Sequence, residues 1–432
     1  MARERQVLLR GGTVVDSGGT RRADVLLRGE IVAGCSATAA QDVAEGTLVL
    51  DVEGCVVAPG LVDLHTHLRE PGLEEAETVE TGARAAALGG YTAVVAMPNT
   101  VPATDNPSIV RHVQSLAKAA CCDVHPAGAL TVGREGKVLA PMAEMAALGV
   151  TIFSDDGSGL QDGALMRGAM EQARALGVVV ADHCEEDSLA GNGCVNEGKV
   201  SARLGLPGRP AASEQIMVTR DLVLAQLTGA RLHVLHVSTA AALAAVRAAK
   251  ADGANVTAEV TPHHLVLTED EIGPGATQYK VNPPLRTFAD VLALRGGLGD
   301  GTIDAVATDH APHPERAKSV AFPDAAPGMT GLETSLALCM TELQIPLERV
   351  LALMSWLPAR IAGLSAAHGG PVAAGGPANL CVIDPARHWV VDPQRMASRS
   401  RNTPFAGRAL VGKVRHTFFA GEPVVLDGEA QR

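Results

Sequence analysis

Along the first part of the chain, short apolar runs at 7–10, 13–15, 23–27 and 31–32 are separated by polar or glycine breaks, including a Ser17-Gly18-Gly19 turn. Runs of this length between turn residues predict hairpin strands. A similar pattern returns near the other end, at 378–384, 389–391, 409–414 and 417–421, so the two ends are expected to join in one small β domain. Between them, strand-like runs at 55–63, 91–97, 124–130, 150–154, 177–182, 231–237, 255–260 and 303–308 alternate with helical stretches at 75–88, 107–119, 140–148, 164–176, 212–227, 239–251 and 287–297. That alternation predicts the α/β class and a (β/α)8 TIM-like barrel, with the active site at the C-terminal strand ends. The expected division is 58–368 for the barrel and 1–57 plus 369–432 for the two parts of the composite β domain.

Composition narrows this picture. A chain of 432 residues has room for a barrel and a smaller domain, and with aromatics at only 2% its core must be built from Ala, Val, Leu and Ile. A net charge of −12 argues against a nucleic-acid surface and favours small-molecule partners. The first residues lack an apolar signal core, and no apolar run reaches the roughly 18–20 residues that span a bilayer, so a cytoplasmic protein with no membrane partner is expected. Eight cysteines without Cys-x-x-Cys spacing read as free thiols, Cys184 among them as a small apolar filler.

The polar residues that interrupt the barrel pattern carry the chemistry. In strand order, the ends hold His65 and His67, Asn99, Asp155 and Asp156, His183, His236, His263 and His264, and Asp309. His65 and His67 sit two apart, so an extended strand aims both imidazoles at one ion. With His183 and His236 they make four histidines at one mouth, which points to a metal site. His233 has the opposite parity to His236 and is expected to point away in a structural role. His263 and His264 are read as shaping the mouth, and Asp309 as a carboxylate able to touch a metal and exchange a proton with substrate.

These residues lie in motifs that resemble the dihydroorotase family, in its longer bacterial form within the amidohydrolase superfamily. The motifs are Pro-Gly-Leu-Val-Asp-Leu-His-Thr-His-Leu-Arg-Glu-Pro-Gly at 59–72, Met-Pro-Asn-Thr at 97–100, Phe-Ser-Asp-Asp-Gly at 153–157, Asn-Glu-Gly-Lys-Val-Ser-Ala-Arg-Leu-Gly-Leu-Pro at 196–207, His-Val-Ser-Thr at 236–239, Thr-Pro-His-His at 261–264 and Ala-Thr-Asp-His-Ala-Pro-His at 307–313. The resemblance covers nearly the whole chain. It implies reversible metal-dependent hydrolysis of the ring amide of dihydroorotate to N-carbamoyl-L-aspartate in pyrimidine biosynthesis.

It also implies two zinc ions, other divalent metals being chemically acceptable. His65, His67 and Asp309 would hold one and His183 and His236 the other. Many superfamily members bridge the metals with a carboxylated lysine, which this chain lacks; Asp156 takes the place, with Asp155 in reserve. The resemblance assigns Arg69, Asn99 and His313 to the substrate carboxylate, and Asn282 with Pro327 and Gly328 to the pyrimidine edge. Arg69 could otherwise be a surface partner of Glu70.

Competing expectations are an allantoinase or dihydropyrimidinase, which share the barrel, and a noncatalytic scaffold for aspartate carbamoyltransferase. A homodimer, and association with that transferase alongside catalysis, are further expectations about partners.

Overall fold

This computed structural model describes residues 6–432. Eight parallel strands follow the predicted alternation: β1 (Leu61–Thr66), β2 (Tyr91–Ala96), β3 (Asp123–Pro126), β4 (Ile152–Phe153), β5 (Val179–Asp182), β6 (Arg231–Val234), β7 (Val256–Val260) and β8 (Ala305–Val306). β1 to β3 pair in one set and β4 to β8 in another. Single bridges close the ring, from Gly128 to Phe153 beyond β3 and from Thr66 to His310 beyond β8. The fold is the (β/α)8 barrel.

The helices between the strands are α1 (Val79–Leu88), α2 (Pro107–Ala117), α3 (Met142–Ala146), α4 (Gly163–Leu176), α5 (Ala211–Thr228), α6 (Ala240–Ala251) and α7 (Phe288–Asp300). Thr239 and Thr287, expected as first helical residues, are instead N-caps whose side chains accept from Ala242 N and Asp290 N, satisfying donors that a first turn leaves free. α4 starts at the Asp162 cap and stops at Gly177, whose φ of 72° is open to glycine. The scarcity of aromatics shows in α1, where Ala83, Ala85, Ala86 and Ala87 are fully buried. Small side chains let that helix lie close on the sheet.

Strands from both ends of the chain share one seven-stranded sheet, in which Val56–Pro59 pairs with Leu380–Val390 and with Thr13–Asp16. The run at 55–63 is therefore two strands rather than one. It breaks at Gly60, where any Cβ would overlap the side chain of Thr92; Leu61–Thr66 then enters the barrel. Several barrel strands are also shorter than their apolar runs; beyond them isolated backbone bonds continue toward the mouth, as from Leu235 N to Asp182 O at 3.2 Å and from Ala307 N to Val260 O at 3.1 Å. Three helices after β8, Ser335–Glu342, Leu347–Met354 and Trp356–Ile361, were not expected. Ile361 and Ala362 pack with Leu64, Val95 and Ala127 inside the barrel, so this segment plugs the end opposite the mouth.

Candidate active site

β1 delivers His65 and His67 to the mouth, fully buried or nearly so. His65 Nε2 lies 3.4 Å from Asp156 Oδ2 and 3.6 Å from Asp309 Oδ1. His67 Nε2 lies 3.5 Å from Asp156 Oδ2 and 3.0 Å from Asp309 Oδ1. The other oxygen of Asp156 faces the opposite pair, 3.5 Å from His183 Nδ1 and 3.5 Å from His236 Nε2. Those two imidazole nitrogens are 2.9 Å apart. One carboxylate thus stands between two histidine pairs. Asp155 does not share the place: its Oδ1 accepts from Leu130 N at 2.9 Å and Thr131 N at 3.1 Å, and its Oδ2 accepts from Thr131 Oγ1.

The backbone is bent to make this convergence. His236 and Asp309 have φ of 30° and 46°, left-handed values that side chains other than glycine seldom adopt. β6 ends at Val234, so strand alternation does not carry through to His236. His233 accordingly does not point away; it hydrogen-bonds Glu259 Oε2 through Nε2 at 3.0 Å. Glu259 in turn accepts from His65 Nδ1 at 2.8 Å. That bond makes Nδ1 the donor and leaves His65 Nε2 facing the carboxylates of Asp156 and Asp309. Burial opposes ionisation of Glu259, but His233 and His65 hold its carboxyl down to about 2.

The charges in this centre are strongly coupled. Burial would raise Asp156, yet His65, His183 and His236 hold it well below the usual carboxylate range. Burial likewise disfavours a charged His183, but Asp156 and Glu185 raise it to about 10. Carboxylates packed this way draw positive charge onto their neighbours. His65 Nε2 and Asp156 Oδ1 are buried without a hydrogen-bond partner. The donor atoms of His65, His67 and Asp309, and those of His65, Asp156 and His236, lie within 4.8 Å of one another. Imidazoles and carboxylates in these two groups fit divalent ions such as zinc.

Beside this centre Arg69, also at positive φ (64°), is buried. It does not pair with Glu70, whose Oε2 accepts from Val79 N at 2.9 Å. Its Nε donates to Pro312 O at 3.2 Å, and its Nη2 lies 3.3 Å from His313 Nε2. Burial pulls Arg69 down to about 10, a value at which it is still charged near neutrality. Among the described residues, no carboxylate forms an ion pair with it. Asn99 Oδ1 lies 2.8 Å from His67 Nδ1, so this side chain orients a histidine as well as facing the mouth.

His313 Nε2 lies 2.8 Å from Pro327 O, and Gly328 N donates to Lys280 O at 2.8 Å. At Gly328 a Cβ would meet Ala311 Cβ at 2.6 Å, which is why the loop needs glycine there. Asn282 Nδ2 lies 3.2 Å from His183 Nε2, and a cavity of about 420 Å³ opens beside Asn282 and Pro327.

Several supporting residues escaped the sequence reading. Glu185 accepts from His183 Nε2 at 2.9 Å and pairs with Arg209, which also reaches Asn282. Glu259 could have been suspected as a lone carboxylate inside an apolar strand. Asn402 had no such signal, although its side chain holds His313 N, Ala311 O and Gly328 O at 3.0–3.1 Å. His263 and His264 are both buried beside the mouth; His264 accepts from or donates to Thr261 Oγ1 at 2.8 Å, the hydroxyl that caps their short helix.

Comparison with known proteins places this geometry in a family. A dihydro-orotase-like family pattern matches residues 54–242. A dihydroorotase of Streptomyces coelicolor is 49% identical over 431 residues, covering 98% of this chain and 99% of that protein. The chain belongs to the dihydroorotase family. A dihydroorotase of Mycobacterium leprae is 47% identical over 96% of this chain and 97% of its own length.

Membership of the dihydroorotase family makes the chain a hydrolase of the cyclic-amide type. Its fold is shared more widely. The solved L-hydantoinase of Arthrobacter aurescens has a TM-score of 0.87 at 26% identity, over 99% of this chain and 97% of that one. The dihydropyrimidinase of Brevibacillus agri has the same fold, with a TM-score of 0.86 at 24% identity over 99% and 96%. Sequence relatives at nearly twice that identity are dihydroorotases, which disfavours the allantoinase and dihydropyrimidinase readings.

Proposed function

We propose that this dihydroorotase-family enzyme reversibly hydrolyses the ring amide of dihydroorotate to N-carbamoyl-L-aspartate, using a two-metal centre at the barrel mouth. The observation that carries the reading is the Asp156 carboxylate set between two histidine pairs, with the buried Arg69 guanidinium, held by Pro312 O and in no carboxylate ion pair among the described residues, beside them. His65, His67 and Asp309 would hold one divalent ion, His183 and His236 a second, and Asp156 both. Zinc suits the donor set. Ions held there supply a water of lowered pKa and polarise a carbonyl.

The protein's own groups then divide the work. Asp309 is positioned to accept the proton of the attacking water and return it to the departing ring nitrogen. Its conjugate base is favoured: burial opposes charge, but His65 and His67 hold it far below the usual range. Arg69 offers a planar fork for the substrate carboxylate, with Asn99 and His313 alongside. Asn282 and Pro327 border the cavity of about 420 Å³ and, with Gly328 next in the chain, would meet the pyrimidine edge. Ring closure uses the same groups in reverse.

The scaffold-only reading is disfavoured because none of the six ligand positions has been lost. No helix among the described residues is long and apolar enough to cross a membrane; the proposed setting is the cytoplasm. The proposed domain division is 58–368 for the barrel, with the two end segments forming the β domain and Ala58 and Pro59 completing the β-domain strand that pairs with Leu380–Val390. Co-elution with aspartate carbamoyltransferase and sedimentation of the isolated chain would read the proposed assemblies.

The deciding experiment is a dihydroorotate hydrolysis assay on metal-quantified protein, with allantoin and dihydrouracil as competing substrates. Turnover of dihydroorotate alone is expected. Turnover of allantoin without dihydroorotate overturns the assignment.

A further inference from the structure

At the other end of the barrel, three residues without a part in the chemistry above converge. Asp123 and His125 lie two apart on β3, on one face of the strand. In the β2–β3 register they stand beside Ala93 and Val95, and Val95 belongs to the cluster that fills the barrel interior. Both side chains therefore point into the barrel's lower end. His368 comes from the turn after the plugging segment and is buried. Its Nε2 is 2.7 Å from Asp123 Oδ2, and its Nδ1 is 3.1 Å from Thr92 Oγ1. The His125 and His368 rings are perpendicular, with centroids 6.4 Å apart.

Two observations separate this group from an ordinary buried ion pair. His125 Nε2 is buried and has no hydrogen-bond partner, whereas buried ring nitrogens are normally satisfied. The ligating atoms of all three residues lie within 4.8 Å of one another; donors of a filled tetrahedral zinc site are roughly 3.3 Å apart, so small side-chain rotations suffice to close on an ion. Thr92 provides the outer contact that commonly orients a ligating histidine, leaving Nε2 for the metal. Asp123 keeps 44% of its side chain exposed, which gives an ion a route in.

We propose that Asp123, His125 and His368 form a separate zinc site at the N-terminal end of the barrel. Two imidazoles and one carboxylate with an open fourth position are a donor set that zinc accepts. The ion would tie the plugging segment to β3, acting on stability and not on turnover.

The test measures zinc per chain after equilibration at micromolar free zinc and desalting, in the wild type and in D123N, H125Q and H368Q. Each variant is expected to hold about one equivalent less than wild type, with unchanged kcat for dihydroorotate. Added zinc should raise the melting temperature of the wild type more than that of D123N. If H368Q does not fold, the half-buried positions 123 and 125 give the same reading. Equal zinc content in wild type, D123N and H125Q would overturn the proposal and leave a plain Asp123–His368 ion pair.

Discussion

Glu259 makes a demanding test of how the proposed metal centre is built, because it reaches no substrate and would touch no ion. Its carboxylate accepts His65 Nδ1 at 2.8 Å and His233 Nε2 at 3.0 Å, and all three side chains are fully buried. Hydrogen bonds to a charged group contribute about 1.5–3 kcal/mol each. Removing these two with E259A, together with the longer bond from His236 N at 3.4 Å, therefore costs at least about 3–6 kcal/mol, a large share of the roughly 5–15 kcal/mol that keeps a domain folded. That variant is expected to express poorly. E259Q is the informative one, because it keeps the shape and one acceptor while turning an amide donor towards one of the two histidines. If the relay presents His65 Nε2 to a metal, E259Q should weaken zinc binding about 10–100-fold, or about 1.4–2.8 kcal/mol. Competition against a chromogenic chelator measures this directly. Activity should return to within several-fold of wild type at saturating zinc. Wild-type zinc affinity in folded E259Q would refute the relay.

Other expectations follow from other parts of the structure. R69M should raise KM for dihydroorotate by at least about tenfold, the loss of one charge-assisted contact, and spare metal content; an unchanged KM removes Arg69 from the carboxylate clamp. Since the proposed bridge is Asp156 and not a carboxylated lysine, zinc loading of apoprotein should proceed at the same rate and extent with or without bicarbonate, and a bicarbonate requirement would count against Asp156. Burial pushes Glu333 up to about 7 from an ordinary 4.5, although Ala397 N and Ser398 N donate to it. Between those values the unfolded chain releases a proton that the folded chain keeps, so this group's stabilising contribution is complete at low pH and disappears as pH rises through about 7. The loss is at most about 3 kcal/mol. Urea denaturation of E333Q against wild type at about pH 5 and about pH 8 should show the difference shrinking or reversing at the higher pH; a pH-independent difference would rule out this titration.

The barrel and the cluster of histidines and carboxylates at its mouth were legible because polar residues at strand ends stand out against long apolar runs, and the motifs around them are specific. Strand lengths were not, because apolar character continues past the regular strand into the mouth, as at 124–130, where the strand ends at Pro126 and only a single bridge at Gly128 follows. His233 shows the same difficulty for parity. Alternation describes side chains only while the chain stays extended, and the turn at His236 brings both histidines to the centre by different routes, one directly and one through Glu259. Asn402 was hidden for another reason: its effect depends on contacts with His313, Ala311 and Gly328 in distant segments, which no local pattern encodes.

Asp155 and Asp156 show where the sequence stops and packing decides. As neighbours at the end of β4 they point to opposite sides, and either could have faced the histidines. Asp155 is held by two backbone N–H groups and a hydroxyl from Leu130 and Thr131, donors that lie just beyond β3. With that carboxylate committed to the neighbouring loop, the next residue has to turn inward. Asp156 is held there from behind as well, its N–H donating to Ser154 Oγ at 2.9 Å and its carbonyl accepting from Arg134. The proposed bridge is therefore set by the residue beside it: loosening Asp155 would let the loop after β4 rotate and carry Asp156 away from both histidine pairs, so D155A should lower the zinc content per chain even though the Asp155 carboxylate faces neither pair.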